Sequence, residues 1–368
     1  MKLVLATPLY PPEIGGPSTY AKLLEEGLSE KGIEIELVKF ATVRHLPKVL
    51  RHVAYFSRVY RALKSADLVL ALDPVSVGLP ACFAAFLARK PFVVKIVGDY
   101  AWEQGQQRFG VAASLDEFVK MRRVPFAVWL LRLVQRGVAS HAARIIVPSN
   151  YLKGIVMTWG ISSDTIEVIY NAVPLQKPGT MPEAVAAQPH PLVVTAGRLV
   201  PWKHIDGIID AVSGLPEVSL AIVGGGPLRA ALARRASEKL SGRAILTGNV
   251  PHEELLAVVK SADIFVLNSS YEGLSHLLIE AQALGVPTIA TDAGGNPEVI
   301  TNEVNGLLIP VGDTSALSRA LARMLGDDEL RARLRAAASE SAHRFSTEAM
   351  LTATATLMMG LRNPSSKI

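Results

Sequence analysis

The stretch Leu192-Val-Val-Thr-Ala-Gly-Arg-Leu-Val-Pro-Trp-Lys-His204 reads as a short buried strand followed by a glycine-led loop. Apolar runs of the same kind alternate with helix-like stretches along the whole chain. They lie at residues 2–7, 35–40, 68–72, 92–97, 144–147, 192–196, 218–223, 264–267 and 288–291. Such alternation is typical of parallel sheets whose strands are joined by crossover helices. The sequence therefore predicts an α/β fold.

A proline-rich stretch divides the chain into two predicted domains. Five prolines lie between residues 173 and 191, where no apolar period is visible, and we interpret 173–191 as an interdomain linker. The predicted first domain covers 1–172 and the second covers 192–345, each a doubly wound, Rossmann-like parallel sheet. Two such domains facing each other leave a central cleft at the carboxyl ends of their strands, where open α/β sheets bind ligands.

Composition favours a cytoplasmic protein. The longest uncharged run, 74–88, is interrupted by Gly78 and Pro80 and is shorter than the roughly 20 residues of a membrane-spanning helix. The first ten residues resemble a buried strand more than a signal peptide. The single cysteine, Cys82, cannot form an internal disulfide, which fits a reducing compartment.

Positive charge is concentrated in the first half of the chain. Residues 1–170 contain 21 Lys and Arg against 14 Asp and Glu, although the whole chain carries only +5. The stretch 42–64 is basic and contains no acidic residue, and five apolar residues recur in it at helical spacing: Val49, Val53, Phe56, Tyr60 and Leu63. We expect a peripheral contact of 42–64 with an anionic membrane or acceptor, or else an ordinary surface helix that packs on the first sheet. No nucleic-acid partner is expected.

Two glutamates, Glu272 and Glu280, lie at a predicted loop-to-helix junction within 270–285. A helix that begins near Leu274 offers its N-terminal N–H groups to a phosphate or diphosphate. Eight residues at helical rise separate the carboxylates by about 12 Å, the reach from a ribose across a diphosphate to a sugar. The alternative is that Glu272 only caps the helix and Glu280 is solvated.

Two cations, Arg198 and Lys203, lie in the loop after the strand at 192–196. A guanidinium fork and a mobile ammonium together suit a diphosphate and can neutralise the charge on a departing phosphate. Further on, the edge turn at 247–251 contains Val250 and can present backbone groups to a nucleobase, or it is a plain turn. The glycines at 224–226 fail the dinucleotide pattern G-x-G-x-x-G because Arg229 occupies its last position.

The first domain offers two candidate features at the same edge. Gly15 and Gly16 follow the first strand and leave room for a backbone to approach an anion, or they form a simple tight turn. Asp99 follows the strand at 92–97, where it can act as a general base or orient a sugar hydroxyl. The alternative is that Asp99 only caps the following turn.

Taken together, these segments resemble glycosyltransferase family 4, the retaining transferases of the two-domain GT-B fold. The resemblance spans nearly the whole chain. It rests on Gly15-Gly16, Val147-Pro-Ser-Asn150, Asn171-Ala-Val173, Gly197-Arg198 with Lys203, Gly248-Asn-Val250, Glu272 with Glu280, and Gly294-Gly-Asn-Pro-Glu298. Any one of these segments is weak, but the ordered set is specific.

The resemblance implies a role for each matching residue. Arg198 and Lys203 are expected to hold the donor diphosphate, Glu280 the ribose, and Glu272 the transferred sugar, together with the backbone at Gly273, Leu274 and Ser275. The resemblance also implies that residues 346–368 cross back onto the first domain as a helix, which lets the domains close over the donor and exclude water.

The chain departs from the family pattern at three places. His204 follows Lys203 where the family usually has glycine, and Leu274-Ser275 stands where Phe-Gly is common. Asp99 lies near the place where many relatives carry a histidine, and a carboxylate is not equivalent to a neutral imidazole. These departures make the sugar pocket and the role of Asp99 less predictable than the diphosphate site.

The sequence thus predicts a retaining glycosyltransferase that uses a UDP- or GDP-sugar and needs no metal or other cofactor. Arg198, Lys203 and the helix N-terminus would stabilise the leaving diphosphate, and the chain contains no Asp-x-Asp triplet. The acceptor is expected to be a glycan or a lipid-linked glycan at the inner face of the cell membrane. The alternatives are a nucleotide-sugar epimerase of similar fold and a non-catalytic nucleotide-sugar-binding subunit.

Overall fold

The computed structural model describes residues 1–13, 16–174 and 176–362, and places strands and helices in alternation. The strands are β1 Lys2–Thr7, β2 Glu34–Lys39, β3 Leu68–Ala71, β4 Phe92–Lys95, β5 Arg144–Val147, β6 Ile166–Val168, β7 Leu192–Ala196, β8 Ser219–Val223, β9 Ala244–Gly248, β10 Ile264–Leu267, β11 Thr288–Thr291 and β12 Leu307–Ile309. All pair in parallel, as the alternation of the sequence predicts.

Helices connect the strands. They are α1 Gly16–Glu30, α2 Lys48–Leu63, α3 Gly78–Ala88, α4 Tyr100–Arg108, α5 Leu115–Phe118, α6 Phe126–Ser140, α7 Asn150–Met157, α8 Glu183–Ala186, α9 Ile205–Ser213, α10 Arg229–Leu240, α11 His252–Ser261, α12 His276–Ala283, α13 Asn296–Val299, α14 Thr314–Gly326, α15 Asp328–Ser341 and α16 Thr347–Arg362. No helix among the described residues is long and apolar enough to cross a membrane.

The chain divides into two compact units. Unit 1 comprises Met1–Ala172 and Thr347–Ile368, and unit 2 comprises Val173–Ser346. In unit 1 the helix α16 packs on α1, where Leu351 approaches Gly27 and Lys31 forms an ion pair of 2.7 Å with Glu348. The chain therefore returns to unit 1 with α16, within the segment 346–368 for which the family resemblance implies a crossover helix, and residues 363–368 of that segment lie outside the described residues.

The described residues of the predicted linker 173–191 are grouped with unit 2. The Gly179 N–H donates to the Glu253 carbonyl at 2.8 Å, and the short helix α8 buries Val185. A segment that packs on a domain and a solvent-exposed linker can both be rich in proline, and α8 of this segment packs against β9. Proline content alone does not separate these cases, since both lack an apolar period.

Each unit contains one six-stranded sheet. The strand order is β2-β1-β3-β4-β5-β6 in unit 1 and β12-β11-β10-β7-β8-β9 in unit 2. The second order is that of a classical dinucleotide-binding sheet, in which the direction of winding reverses between the first and fourth strands, here β7 and β10. Loops after these two strands diverge to opposite faces and leave a crevice between them.

Nine strands lie where apolar runs predict them, but β6, β9 and β12 do not appear among the predicted strands. Each of the three forms an edge of its sheet. An edge strand has a neighbour on one side only, so it needs no continuous apolar run. The β9 strand, for example, has all five residues only half-buried.

The buried Lys95 at the end of β4 is an unexpected core residue. Its Nζ lies 3.9 Å from the centre of the Tyr20 ring and donates to none of the described residues. Burial lowers the pKa of the Lys95 ammonium from 10.5 to about 7. Between these values the unfolded chain binds more protons than the folded chain, so stability rises with pH through that window.

We expect the variant Lys95→Met to be more stable than the parent at neutral pH. Between pH 7 and 9 the free energy of unfolding of the parent should increase by roughly 2 kcal/mol because of the Lys95 ammonium, since each pKa unit is worth about 1.4 kcal/mol. The variant should lack that gain. Chemical denaturation at several pH values measures the difference, with the exposed Lys120→Met as control. If the free energy of unfolding depended on pH equally in parent and variant, the ammonium of Lys95 would not be destabilised by burial.

Candidate functional site

Two loops meet at the reversal point of the second sheet. The loop after β7 carries Lys203, whose Nζ forms an ion pair with the Oε1 of Glu272 in the loop after β10. Both side chains are largely buried. The Ser269 hydroxyl donates a second hydrogen bond to the same Glu272 oxygen at 2.8 Å. The two residues, far apart in sequence, thus form one charged cluster at the crevice.

One backbone and one side-chain hydrogen bond hold the two loops together. The Ser270 N–H donates to the Trp202 carbonyl at 2.8 Å, and the Asn268 amide donates to the His204 carbonyl at 2.9 Å. Since these bonds join residues next to Lys203 with residues next to Glu272, they fix the distance between the two charges. The cluster is therefore built into the fold before any ligand arrives.

A glycine makes the position of Glu272 possible. Gly294 has a φ of +55°, and a Cβ at this position would lie 2.1 Å from the Glu272 carbonyl oxygen. The neighbouring Gly295 N–H donates to that oxygen at 2.8 Å. Any side chain at residue 294 would therefore displace the loop that carries Glu272. The segment 294–298, quoted above only for its resemblance, is a structural support of the site.

Glu280 is buried, which rules out the alternative of a solvated helix residue. Only 5% of Glu280 is exposed, and its Oε1 lies 3.0 Å from the Nε2 of His252 at the start of α11. This hydrogen bond raises the pKa of His252. The other oxygen, Oε2, is buried and has no hydrogen-bond partner among the described residues. A buried carboxylate oxygen without a donor is costly, which makes it a candidate acceptor for a ligand hydroxyl.

The helix that carries Glu280 begins later than the sequence predicts. α12 starts at His276 rather than near Leu274, because the Ser275 hydroxyl accepts from the Leu278 N–H at 3.3 Å and caps the helix. Glu272 therefore lies in the loop, and the predicted 12 Å separation, which assumed helical rise throughout, does not apply. The alternative role of Glu272 as the helix cap is also wrong.

The remaining predicted residues of unit 2 lie in loops of that unit, three of them next to Glu272 in the sequence. Arg198 is exposed in the loop after β7, Gly273 is half-buried, and Leu274 and Ser275 are buried before α12. Val250 is half-buried in the turn after β9. The glycines at 224–226 lie in the loop after β8, where the Gly224 N–H donates to the Gly248 carbonyl at 2.9 Å and a Cβ on Gly224 would lie 2.0 Å from the Gly197 carbonyl oxygen.

In unit 1 the structure shows Asp99 as a helix cap. Its Oδ1 accepts from the Trp102 N–H at 2.9 Å and from the Gln135 amide at 3.0 Å, and it begins α4. Burial raises the pKa of Asp99. The capping alternative thus describes what the side chain does here, and the catalytic role of Asp99 stays a prediction. Gly16 begins α1 and is exposed, while Gly15 lies outside the described residues.

The basic helix α2 packs with a different face from the one its sequence suggests. The buried residues are Tyr55, Val59, Ala62 and Leu63, whereas Val49 and Val53 are exposed. Of the predicted stripe only Leu63 is fully buried, and Phe56 and Tyr60 are half-buried. The periodicity was correct for a helix, but two apolar stripes one residue apart are not distinguished by spacing alone.

Sequence reasoning missed two side chains of the site, Ser269 and His252. Ser269 contacts Glu272, and His252 contacts Glu280. Ser269 lies three residues before Glu272 at the end of a predicted strand, so its position at the sheet edge was a usable signal. His252 begins another helix, and no local signal relates it to a glutamate 28 residues later.

Metal ligands are not grouped in this structure. Within residues 1–13, 16–174 and 176–362, no three His, Cys, Asp or Glu side chains come together in a way that could hold a metal ion. The charged cluster instead combines a lysine with a carboxylate, and an arginine lies in the same loop as the lysine.

His204 adopts a left-handed backbone conformation beside Lys203, with a φ of 45° and a ψ of 44°. This conformation explains why glycine suits the position. We expect His204→Gly to keep stability within about 1 kcal/mol of the parent, and His204→Val to lose roughly 1–2 kcal/mol more because a β-branched side chain is strained there. Chemical denaturation measures both variants. A valine variant as stable as the glycine variant would refute this reading of the loop.

Comparison with known proteins places the chain in a class. The family model for Glycosyltransferase Family 4 matches residues 14–177, and the model for Glycosyl transferases group 1 matches residues 180–341. The fold resembles that of Anabaena HepE in complex with UDP, with a TM-score of 0.76 at 20% identity over 98% of this chain and 100% of that one. The protein is therefore a glycosyltransferase of the GT-B fold.

The particular family follows from the same matches. The chain belongs to glycosyltransferase family 4, which confirms the resemblance of its sequence. It is 28% identical to the GDP-mannose-dependent alpha-(1-6)-phosphatidylinositol monomannoside mannosyltransferase of Mycolicibacterium smegmatis, over 88% of this chain and 89% of that protein. It is 26% identical to the D-inositol 3-phosphate glycosyltransferase of Saccharomonospora viridis, over 92% and 88% respectively.

Proposed function

We propose that this protein is a retaining glycosyltransferase that moves a sugar from a UDP- or GDP-sugar to a hydroxyl of a glycan or lipid-linked acceptor, in cell-envelope or polysaccharide synthesis. The observation that carries the proposal is the cluster of Lys203, Glu272 and Ser269 at the reversal point of the second sheet, with Arg198 in the same loop as Lys203. This is the place where sheets of this order bind nucleotides.

The charges fit the two ends of such a donor. Arg198 and Lys203 supply two positive groups for the diphosphate, while Glu272 can accept hydrogen bonds from sugar hydroxyls. The buried and unpaired Oε2 of Glu280 is suited to a ribose hydroxyl. A ligand hydroxyl there would satisfy an oxygen that the protein leaves without a donor.

The reaction breaks the bond between the anomeric carbon and the diphosphate oxygen, and forms a bond to the acceptor oxygen on the same face of the sugar. The acceptor proton passes to the departing diphosphate. Arg198 and Lys203 stabilise the negative charge that develops there, which is the task a metal ion performs in other transferases. We propose on this basis that the protein works without a metal, and that excess chelator leaves the rate unchanged.

The class of acceptor is proposed from the positive charge of the first half of the chain and from the names of the two relatives. The first half of the chain is basic, and 42–64 contains no acidic residue. The two relatives described above are named for transfer to phosphatidylinositol monomannoside and to inositol 3-phosphate. An anionic acceptor, reached at the inner face of the cell membrane, is consistent with both observations.

A thermal-shift panel of UDP, GDP and their sugars tests the donor. A ligand that binds only the folded chain raises the melting temperature. At a free ligand concentration of 100 times the dissociation constant, it adds about 2.7 kcal/mol to the free energy of unfolding. We expect one base and one sugar to give the largest increase in melting temperature.

Donor turnover without any acceptor, giving an isomerised sugar, would favour the epimerase. Donor binding without turnover on any acceptor would favour a non-catalytic subunit. NMR of the product then decides whether the anomeric configuration is retained.

A further inference from the structure

The helix α6 buries two polar side chains and exposes its largest apolar ones. Its buried face includes Arg132 and Gln135, which are 8% and 0% exposed. Its outward face carries four large apolar residues at helical spacing: Phe126, Trp129, Leu130 and Leu133 are all exposed, and the rings of Phe126 and Trp129 stack at 5.7 Å. A surface helix ordinarily buries such a stripe, so this one must serve another purpose.

The inward polar residues explain part of this inversion. The Arg132 guanidinium donates to the Met121 carbonyl at 2.8 Å and also bonds Phe118, and Gln135 holds both Asp99 and the Ala101 N–H. These two buried polar residues of α6 thus fix the segment between β4 and α6. That use does not require the opposite face to be apolar, so the exposed aromatic stripe needs its own reason.

The neighbouring helix α3 shows the same arrangement. It buries small residues, among them Ala81, Ala84 and Ala85, and exposes Phe83, Phe86 and Leu87. Phe86 is 74% exposed. A groove of about 740 Å³ runs between α3 and α6, with Phe83, Phe86 and Leu133 among its walls. The two outward stripes therefore join into one apolar surface, which we call the α3–α6 face.

Both helices and the residues beside them in the chain lack acidic side chains. Residues 74–98 and 118–163, which include both helices, contain no aspartate or glutamate. Arg89, Lys90 and His141 line the groove, and the exposed Arg122 and Arg123 precede α6 in the chain. Apolar and aromatic side chains surrounded by cations match the interface of an anionic bilayer, which offers acyl chains beneath negative headgroups.

We propose that the α3–α6 face is a membrane-docking surface for an anionic lipid bilayer. The apolar stripes enter the acyl boundary, and the cations of the groove lining and of the segment before α6 meet the headgroups. Large apolar patches on a soluble surface mark interaction sites, and the absence of acidic residues favours lipid over a protein with mixed charge. The proposed function also expects a membrane contact, and this is all that the two proposals share. The contact expected from the sequence lies on α2, whereas the contact proposed here lies on α3 and α6.

Sedimentation of the full chain with vesicles tests the proposal. We expect binding to vesicles of phosphatidylcholine with phosphatidylglycerol that weakens with salt and is much lower on pure phosphatidylcholine. The double variant Phe86→Asp/Leu133→Asp should lower the bound fraction at least about tenfold. The matched control Val304→Asp, at an exposed apolar residue of unit 2, should bind like the parent. All substituted residues are exposed, so folding is preserved.

A second readout uses the single cysteine. Cys82 lines the groove, so anionic vesicles should slow its alkylation by a maleimide, whereas pure phosphatidylcholine should not. The proposal is overturned if the double variant binds vesicles as the parent does, if only Val49→Asp/Val53→Asp on α2 abolishes binding, or if Cys82 is protected by self-association without lipid. Nucleoside diphosphate binding, measured in parallel, should be unchanged in the double variant. A chain that binds vesicles but no donor would refute the proposed function and leave this inference standing.

Discussion

The variant Glu272→Gln is expected to lose sugar transfer by at least about 100-fold in kcat/KM, the cost of removing one stabilising group at a reacting centre. The amide keeps the size of the side chain but removes the charge that pairs with Lys203 and one hydrogen-bond acceptor. Binding of the nucleoside diphosphate alone should stay within a few-fold of the parent, because Lys203 is released from its partner and remains available to the phosphates. Steady-state kinetics and calorimetry measure the two effects.

The control for this prediction must remove an ion pair elsewhere. Asp210 pairs with Arg235 and Lys239 in unit 2, on helices α9 and α10. Asp210→Asn should therefore lose some stability while keeping transfer. If Glu272→Gln retained near-full transfer, or lost it only in proportion to its stability, Glu272 would not belong to the reacting centre.

Arg198→Ala is expected to weaken binding of both the nucleoside diphosphate and its sugar by about 10- to 100-fold, the worth of one charge-assisted bidentate contact. Because Arg198 is exposed, its loss should leave the melting temperature of the ligand-free protein unchanged. Arg198→Lys should restore only part of the affinity, since an ammonium lacks the planar fork. Isothermal calorimetry with each ligand measures the change.

The exposed Arg234 on α10 provides the matched control for Arg198. Arg234→Ala removes the same charge from the same unit, so a general electrostatic effect would appear in both variants. Equal affinity loss in the two would show that Arg198 acts through net charge and not through contact with the phosphates. Full recovery by lysine would show that the fork is not used.

Together, these predictions separate the two halves of the proposed donor site. Glu272 should govern the transferred sugar and Arg198 the diphosphate, so the first variant mainly affects transfer and the second mainly affects binding. That contrast follows from position: Glu272 is held by Lys203, Ser269 and the backbone around Gly294, whereas Arg198 is exposed in the loop that carries Lys203.

The sequence by itself determined the fold class, the two sheets and the candidate site of unit 2. Buried parallel strands need continuous apolar runs, and the residues that follow them gather at one sheet edge, so Arg198, Lys203 and Glu272 could be placed from local pattern alone. Edge strands such as β9 escaped this reasoning because they are only half-buried.

Only the tertiary structure decided which side chains meet and which helix faces turn outward. The Lys203–Glu272 pair and the contact of His252 with Glu280 depend on how separate loops come together, which no spacing records. The Asp99 side chain that caps α4 also accepts a hydrogen bond from Gln135 of α6, a contact that no local pattern predicts. In α6, the buried Arg132 and Gln135 bond residues that precede the helix, whereas Phe126 and Trp129 are exposed, and no spacing in the sequence separates these two sets.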